Sequence, residues 1–219
     1  MNLVSDTVTA YLEDRFYPLS PALKQFGIED GKDFLRILPN VEMVLRSLLS
    51  MYHPARILEV GMANGYSAAM MATLLPQSQI VTIEQQPQRC QKAAGRFAAL
   101  GMENRITICQ GDAGQQLREL ATQKENQKFF DVLFIDAAKS HYKEYLDIGL
   151  DMLKDRCLIL SDDVLMRGTV IDEAFDPRSK HKTSIRAMRD YIEYISTMEG
   201  AHTGIIPVGD GLAVTYLEK

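Results

Sequence analysis

Apolar residues recur along this chain in short runs that are almost continuous in hydrophobicity. Runs of this kind, rich in β-branched and aliphatic residues, are typical of parallel strands that are covered by helices on both faces. The pattern predicts strands at Ile57–Val60, Ile80–Ile83, Ile106–Cys109, Val132–Ile135 and Cys157–Leu160.

Segments with helical spacing separate these runs. Because strands then alternate with helices, we expect βαβ units in a doubly wound α/β sheet with helices on both faces. Pro87 suits the first turn of the second helix, where its missing N–H group costs no hydrogen bond. The predicted helices lie around 66–75, 87–100, 114–122 and 140–153.

Both ends of the chain depart from this alternation. After a helical stretch near 184–197, Asp210-Gly211 separates the apolar runs Thr203–Val208 and Leu212–Leu217, which predicts an antiparallel hairpin that closes the sheet. The first 50 residues lack the rhythm of strands. We expect a helix over Leu35–Leu49, and a cap or a dimer contact before it.

Composition narrows the class of protein. The 219 residues, 46% hydrophobic and 24% charged, fit one ordinary globular domain, and no apolar run approaches the ~20 residues that cross a bilayer. The start of the chain lacks the segments of a secretory signal, and Cys90, Cys109 and Cys157 lie far apart, which predicts free thiols in the cytoplasm. A net charge of −5 gives no support to a nucleic-acid partner, although a local basic patch remains open.

A glycine-containing turn follows the first predicted strand. Gly61 and Gly65 have the spacing GxxxG, and Glu59 precedes the first glycine by two residues. Glycines at such a turn let a ligand approach the backbone closely. A dinucleotide site would have GxGxxG, whereas an acid beside GxxxG favours S-adenosylmethionine, whose sulfonium and amino groups are cationic. A tight turn that merely needs glycine is the alternative interpretation.

The next two strand ends carry acidic residues as well. Glu84 closes the second strand, where a carboxylate can accept hydrogen bonds from two ribose hydroxyls, although a solvated glutamate is the alternative. Asp112 and Ala113 follow the third strand, where we expect the adenine ring. Three such strand ends facing one crevice indicate a cofactor that contains a nucleoside.

Two further strands end in carboxylates. Asp136 follows the fourth, and Asp162 and Asp163 follow the fifth, so the three carboxylates are expected to converge at one edge of the sheet. Crowded carboxylates repel one another unless a cation neutralises them, and oxygen ligands without His or Cys suit Mg²⁺ or Mn²⁺. For each aspartate, capping of the following helix is the alternative.

Lys139 lies about one helical turn after Asp136 and is expected to face the same space. Beside a metal ion and an apolar cofactor, the pKa of its ammonium group is expected to fall, so that the neutral amine can accept a proton. A solvated lysine at a helix start is the alternative. We expect His141 at the surface and Tyr142 in packing.

Four stretches of the chain, in the expected order and spacing, resemble the class I, metal-dependent O-methyltransferases. This family includes catechol and caffeoyl-CoA O-methyltransferases. The resemblance covers about residues 56–219, while the first 50 residues match poorly. The stretches are Ile57–Ser67, Phe134–Tyr142, Ser161–Leu165 and Pro207–Leu212.

The resemblance implies a fold and a division of the chain. It implies a Rossmann-like, seven-stranded class I methyltransferase sheet, mostly parallel, in a single domain over residues 1–219. Residues 1–50 would form a helical N-terminal cap, and residues 56–219 the cofactor-binding and catalytic core. A homodimer is implied as well.

The resemblance also implies roles for single residues. Asp136, Asp162 and Asp163 would ligate the metal ion, and Lys139 would be the catalytic base beside Asp136. The family usually has Asp-Asn where this chain has Asp162-Asp163, and the additional charge is expected to tighten metal binding. The expected residues for S-adenosylmethionine are Ile37, Glu59, Gly61, Ser67, Glu84, Asp112, Ala113 and Asp136.

Within the family, the chain is most similar to bacterial tRNA 5-hydroxyuridine methyltransferases, on Ile135–Lys139, Asp163–Gly168 and a basic stretch that leads to Ile205–Ala213. A 5-hydroxyuracil has adjacent O4 and O5 atoms, so it can chelate a metal ion as a catechol does. The stretch Arg178–Arg189 holds five Arg or Lys residues and no acid, which suits phosphate contacts, although a solvated loop and helix face is the alternative.

Three functions follow from these observations. One is methyl transfer to 5-hydroxyuridine in tRNA, and another is methyl transfer to a small catechol or hydroxylated phenol. A third is a non-catalytic module that binds S-adenosylmethionine. The set of Asp136, Lys139 and Asp162-Asp163 speaks against the third, because a binding module need not keep a base and metal ligands together.

Overall fold

The computed structural model describes residues 6–16, 20–30, 36–172, 175 and 181–219, and in this part of the chain eight helices surround one sheet. The helices are α1 (Asp6–Phe16), α2 (Pro21–Asp30), α3 (Pro39–Tyr52), α4 (Tyr66–Leu74), α5 (Pro87–Ala99), α6 (Ala113–Thr122), α7 (Tyr142–Gly149) and α8 (Lys182–Thr197). The strands are β1 (Arg56–Val60), β2 (Gln79–Glu84), β3 (Ile106–Gln110), β4 (Phe130–Ile135), β5 (Leu153–Ser161), β6 (Ala201–Ile206) and β7 (Leu212–Glu218).

The seven strands form a single sheet in the order β3-β2-β1-β4-β5-β7-β6. Strands β1 to β5 pair in parallel, and β7 pairs antiparallel with both β5 and β6. The predicted fold, a mostly parallel sheet with a C-terminal antiparallel hairpin, is confirmed. The chain leaves β1 toward β3 and later returns to β4 on the other side, so a crevice opens at the carboxyl ends of β1 and β4.

Apolar side chains cover both faces of the sheet. Leu45 of α3 and Phe97 of α5 are buried on one face, in a layer that also includes side chains of α2 and α4. Leu146 of α7 and Tyr191 of α8 are buried on the other face, together with Leu117 of α6. In the described part of the chain, no helix is both long enough and apolar enough to cross a bilayer.

Helices α2 and α3 both contact Tyr66, the first residue of α4. The ring of Phe26, on α2, meets the ring of Tyr66 edge-on with 5.9 Å between centroids, and the Tyr66 hydroxyl donates a 2.6 Å hydrogen bond to Glu42 of α3. These contacts place α2 and α3 beside the turn that follows β1. Residues 1–5, 17–19 and 31–35 of the predicted cap lie outside the described residues, and the division into cap and core stays a prediction.

Helix α3 begins at Pro39, later than the predicted start at Leu35. Leu38 has extended backbone angles (φ −66°, ψ 143°), as is usual for a residue before proline, and Pro39 occupies the first turn, where no N–H donor is needed. The helix continues to Tyr52 and ends at His53, which adopts the left-handed conformation and donates its N–H to Leu49.

The predicted helix over 140–153 is too long. Helix α7 ends at Gly149, a 3-10 turn follows over Leu150–Met152, and β5 begins at Leu153, four residues before the predicted strand. Asp155 and Arg156 are exposed at the beginning of β5, where no continuous apolar run marks the strand. Burial on both faces resumes at Cys157, the residue at which the apolar pattern begins.

The hairpin of β6 and β7 secures the segment that follows β5. The Leu165 N–H donates to the Asp210 carbonyl at 2.7 Å, and the Val164 N–H donates to the Gly211 carbonyl at 3.0 Å. Gly211 has φ +89°, and a Cβ atom there would lie 2.4 Å from the Leu165 side chain, so glycine is needed at this close approach. The hairpin turn therefore lies at the carboxyl edge of the sheet.

Candidate active site

A cleft of about 570 Å³ opens at the carboxyl edge, where the turns after β1, β2, β3 and β4 meet. This volume falls in the range that holds a small organic ligand. Most of the residues predicted for a cofactor line the cleft. They are Ile37, Gly61, Ser67, Glu84, Asp112, Ala113 and Asp136.

The turn after β1 owes its shape to two glycines. Gly61 has φ +101° and Gly65 has φ +82°, conformations that L side chains rarely adopt. Gly61 donates its N–H to the Ile83 carbonyl at 3.1 Å, which ties the turn to the end of β2. Gly65 is the residue before helix α4, whose first main-chain N–H groups have no partner within the helix, and Tyr66 and Ser67 at the helix start line the cleft. The predicted glycine turn thus lies at the mouth of the crevice.

Glu84 ties the turn after β1 to the start of α5. One carboxylate oxygen accepts the Ala63 N–H at 3.0 Å, and the other accepts the Gln86 N–H at 2.8 Å. Arg89 is a more distant partner, with 3.9 Å between its Nη1 atom and the carboxylate. A carboxylate oxygen has two lone pairs, so each oxygen keeps one acceptor position for a ligand in the cleft. The side chain is 7% exposed, which holds it in one orientation.

Glu59 is fully buried and does not line the cleft, but it is hydrogen-bonded to Ser67, which does. Its carboxylate accepts hydrogen bonds from the hydroxyls of Ser67 and Thr82, the second at 2.5 Å. Burial raises the pKa of Glu59 to about 7, and the two hydroxyl donors oppose that rise. Ser67 lines the cleft while Glu59 stands behind it, so Glu59 orients Ser67 in this structure.

Asp112 is the N-cap of helix α6. Its side chain accepts the Gln115 N–H at 3.0 Å, and Ala113 begins the helix. This capping bond fixes the direction of the carboxylate at the edge of the cleft. Ile37 is 3% exposed and forms an apolar part of the wall.

Lys139 joins the two loops that carry the predicted metal ligands. Its ammonium nitrogen Nζ lies 3.1 Å from Asp136 and 3.0 Å from Asp163, and both carboxylates line the cleft. Asp162 is 3% exposed, and its side chain accepts the Asp163 N–H at 2.8 Å. Asp163 has φ +59°, a conformation that turns its side chain back toward Lys139.

Two carboxyl groups of this cluster, those of Asp136 and Asp162, have raised pKa values. Burial raises the pKa of Asp136, with Asp163 adding to the rise and Lys139 opposing it. Burial likewise raises the pKa of Asp162 well above its ordinary value, and Asp163 and Asp136 contribute. Buried like charges at short range explain both directions.

Among the protein groups alone, the pKa of Lys139 is raised, so the fall expected beside a metal ion and a cofactor stays a prediction. Burial lowers this pKa, but Tyr142 and the carboxylates of Asp136 and Asp163 outweigh burial and raise the pKa of the amine above its ordinary value. A neutral Lys139 therefore requires that another cation neutralise Asp136 and Asp163.

The donor chemistry of the cluster fits a hard divalent cation. Asp136, Asp162 and Asp163 offer only carboxylate oxygens, and the Lys139 ammonium group already supplies positive charge between two of them. Across the described residues, no group of three His, Cys, Asp or Glu side chains is arranged as a complete ligand set. The assignment of these aspartates as metal ligands stays a prediction.

Tyr142 belongs to this cluster, although packing alone was expected of it. Its hydroxyl accepts a 2.8 Å hydrogen bond from Lys139 Nζ and donates to the Asp162 carbonyl at 2.9 Å. The spacing of three residues from Lys139, on the same side of a helical turn, is the sequence signal that points to this contact. His141, expected at the surface, pairs with Glu144 at 3.0 Å and also lines the cleft.

The structure describes only part of the basic stretch Arg178–Arg189. Arg178 and Lys180 lie outside the described residues. Lys182 and Arg186 are exposed on α8, while Arg189 donates a 2.8 Å hydrogen bond to the Val170 carbonyl. At least one of these basic side chains therefore has a structural contact.

Comparison with known proteins relates the whole described core to one family. A family model described as O-methyltransferase matches residues 20–217. A catechol O-methyltransferase of Niastella koreensis is 32% identical over 146 residues, which cover 66% of this chain and 65% of that enzyme. Caffeoyl-CoA O-methyltransferase 5 of Nicotiana tabacum is 25% identical over 222 residues, which cover 97% of this chain and 91% of that enzyme.

A solved structure shares the fold over nearly its full length. The O-methyltransferase of Bacillus cereus, in complex with SAH, superposes with a TM-score of 0.84 at 22% identity, and the match covers 96% of this chain and 97% of that one. At this identity the likeness concerns the fold alone.

Proposed function

The chain belongs to the O-methyltransferase family, and we propose that it transfers a methyl group from S-adenosylmethionine to a hydroxyl group that has a second oxygen atom beside it. The observation that carries the proposal is the pair of Asp136 and Asp163 at the cleft wall, with Lys139 in contact with both carboxylates. A base and two carboxylates beside a donor site suit an acceptor that must be both oriented and deprotonated.

The donor would lie along the turns after β1 to β3. Glu84 keeps one acceptor position on each oxygen for the two ribose hydroxyls, and Asp112 stands beside the expected adenine position. Ser67, held by Glu59, would face the amino acid part of the donor. Ile37 would cover the donor with an apolar surface.

Lys139 would accept the proton of the acceptor hydroxyl at Nζ, and the resulting oxyanion would attack the methyl carbon in line with the departing sulfur. Asp136, Asp162 and Asp163 would hold Mg²⁺ or Mn²⁺. A bound ion of this kind neutralises carboxylates and lowers the pKa of an acceptor hydroxyl. The protein contributes orientation of both reactants, and no covalent enzyme intermediate is needed.

As acceptor, we propose 5-hydroxyuridine in tRNA. Its O4 and O5 atoms are adjacent, as the proposed binding to a metal ion requires. Exposed Lys182 and Arg186 on α8, together with Arg167 after β5, whose side chain is 81% exposed and lies 3.8 Å from Asp210, are basic groups that support phosphate contacts. The likeness of Asp163–Gly168 to the tRNA-modifying group is the second support.

A small catechol is the second candidate acceptor. The likeness to the catechol O-methyltransferase of Niastella koreensis favours it, and a catechol presents the same pair of neighbouring oxygens. The two candidates differ in charge and size, so they make different demands on the surface outside the cleft.

The experiment compares both acceptors in one assay. Purified protein with labelled S-adenosylmethionine and Mg²⁺ is given tRNA that contains 5-hydroxyuridine, or catechol. Methylated uridine, with turnover that falls steeply as salt rises, supports the tRNA proposal, because RNA binding releases counterions. Methylated catechol with little salt dependence supports the second candidate. Calorimetric binding of S-adenosylmethionine without transfer to either acceptor would refute both.

The proposal extends to a cytoplasmic homodimer. Cys90, Cys109 and Cys157 are free thiols, which supports a reducing compartment. Tyr11 on α1 and Met51 on α3 are 62% and 73% exposed, and such apolar side chains on neighbouring helices suit a contact between copies. Light scattering at several concentrations tests it, and a constant monomer mass would refute the dimer.

A further inference from the structure

The Tyr142 side chain lies entirely inside the molecule, beneath the cleft. It is 1% exposed, and its ring packs edge-on against the ring of Tyr191 with 5.5 Å between centroids. Both phenols are buried in the same layer of the core, but their hydroxyls face different partners. The Tyr191 hydroxyl shares a 2.5 Å hydrogen bond with Ser161, away from Lys139.

Three hydrogen bonds meet at the Tyr142 hydroxyl oxygen. It accepts from Lys139 Nζ at 2.8 Å and from the Ala137 N–H at 3.3 Å, and it donates to the Asp162 carbonyl at 2.9 Å. A phenol has one O–H donor and two acceptor positions. All three are therefore used, and the direction of each bond is fixed.

The fixed directions constrain Lys139. Because the one O–H group of Tyr142 is given to Asp162, the bond between Tyr142 and Lys139 requires that Lys139 be the donor. This holds for the ammonium form, with three N–H groups, and for the neutral amine, with two. In either form one N–H of Lys139 stays directed at the buried phenol.

Lys139 Nζ contacts three acceptor groups in the described part of the chain. Two are the carboxylates of Asp136 and Asp163, and the third is the uncharged hydroxyl of Tyr142. Asp136 and Asp163 line the cleft, whereas Tyr142 lies on the buried side. Tyr142 can thus hold Lys139 whatever the charge of the carboxylates. Through Ala137 and Asp162 it also joins the loops after β4 and β5.

We propose that Tyr142 is a positioning residue, which holds the Lys139 amine so that its remaining hydrogens or lone pair face the cleft. The inference rests on the proposed role of Lys139 as the base. Tyr142 itself does not touch the acceptor, and it moves no proton, since its own O–H stays on the Asp162 carbonyl.

The test removes only the hydroxyl, with Tyr142→Phe, and uses Tyr191→Phe as the matched control. Each variant keeps its buried ring and loses one buried hydroxyl, and Tyr142→Phe is expected to lose more stability, because its hydroxyl makes three hydrogen bonds and that of Tyr191 makes one. We expect kcat of Tyr142→Phe to fall about 10- to 100-fold, as for a misplaced reacting group, while the KM for S-adenosylmethionine is unchanged. Equal kcat values for the two variants would overturn the proposal.

A second readout needs no acceptor. Acylation of lysines by an N-hydroxysuccinimide ester is followed by mass spectrometry, with the exposed Lys143 as the internal reference. Labelling of Lys139 is expected to rise severalfold in Tyr142→Phe and to stay unchanged in Tyr191→Phe. Unchanged labelling in both would refute the positioning role, even if no acceptor has been found. Should Tyr142→Phe fail to fold, 3-fluorotyrosine at position 142 keeps the size and weakens the acceptor, and the same increase is expected in smaller measure.

A Lys139→Met background separates the two proposals. If Tyr142 acts through Lys139, adding Tyr142→Phe to Lys139→Met lowers the residual methyl transfer no further. Full activity of Lys139→Met alone would refute the base, and hence the proposed mechanism. A loss in Lys139→Met together with an unaffected Tyr142→Phe would refute only the positioning role.

Discussion

The main chain of Gly61 passes so close to Asp136 that a Cβ atom on Gly61 would lie 2.0 Å from the Asp136 carbonyl oxygen. The main chains that follow β1 and β4 are thus in direct contact, with no side chain between Gly61 and the Asp136 carbonyl. Because Asp136 carries one of the carboxylates near Lys139, the glycine also sets the distance between the turn proposed for the donor and the carboxylate cluster proposed for the acceptor.

Gly61→Ala is expected to destabilise the protein and to abolish donor binding. The new methyl group meets backbone, which cannot move aside, and φ +101° is strained for alanine, so we expect a cost of at least about 2 kcal/mol. Urea unfolding and calorimetry with S-adenosylmethionine measure the two effects. Gly95→Ala is the control, because this exposed helical glycine has no neighbour within 4 Å of an added Cβ, and it should stabilise by about 0.5–1 kcal/mol. Wild-type donor affinity in Gly61→Ala would contradict the proposed site.

Glu84→Gln is expected to weaken donor binding more than turnover. The amide keeps one acceptor oxygen, so one of the two backbone N–H partners, Ala63 or Gln86, loses its bond and one ribose hydroxyl loses an ionised acceptor. A hydrogen bond to a charged group contributes about 1.5–3 kcal/mol, so the Kd for S-adenosylmethionine should rise about 10- to 100-fold. Calorimetry gives Kd, and saturating donor should restore most of kcat. An unchanged Kd would show that Glu84 does not bind the donor.

Glu59 is expected to make stability fall as pH rises. The unfolded carboxyl ionises near its ordinary value of 4.5, whereas the folded one keeps its proton up to a pKa of about 7. The folded state therefore binds the additional proton between these values, and its stability decreases across that window by up to about 3 kcal/mol.

The measurement is urea unfolding of wild type and Glu59→Gln at about pH 5 and about pH 8, on either side of the window. Relative to wild type, Glu59→Gln should become more stable as pH rises, since the amide does not ionise. Glu103→Gln, at an exposed position, should follow wild type at both values. Parallel curves for all three proteins would rule out a raised pKa at Glu59.

Removal of divalent cations is expected to stop methyl transfer. EDTA should abolish turnover, and added Mg²⁺ or Mn²⁺ should restore it, because the paired carboxylates of Asp136 and Asp163 need a second cation before Lys139 can lose its proton. Asp136→Asn should lower kcat by at least about 100-fold, a loss typical of an impaired metal site. Asp155→Asn, on the exposed start of β5, should behave as wild type. Full activity of Asp136→Asn in EDTA would refute the metal proposal.

The sequence predicted the sheet because its central strands are buried on both faces. Val132–Ile135 is a continuous apolar run for that reason, and Ile57–Val60 is interrupted only by the buried Glu59. The start of β5 escaped prediction because Asp155 and Arg156 are exposed and interrupt the pattern. Helix α3 begins at Pro39 and not at Leu35, because a residue before proline favours extended backbone angles and Leu38 adopts them despite the helical spacing of the apolar residues.

The site was predictable as far as topology determines it. Strand ends gather Gly61, Glu84 and Asp136 at one edge, so their meeting follows from the order of the strands. The raised pKa of Lys139 and the hydroxyl contact of Tyr142 depend on distances between side chains of two loops. No periodicity in the sequence encodes such distances.

Strand β7 lies between β5 and β6 in the sheet, so the hairpin is separated from the strands that carry the proposed donor residues. The residues proposed for the donor follow β1 to β3, whereas the β6–β7 turn is secured to the segment after β5 by two main-chain hydrogen bonds. A longer or shorter turn would leave the registry of the first three strands untouched. Descendants of such an architecture can exchange one methyl acceptor for another over evolutionary time and still inherit the donor chemistry intact.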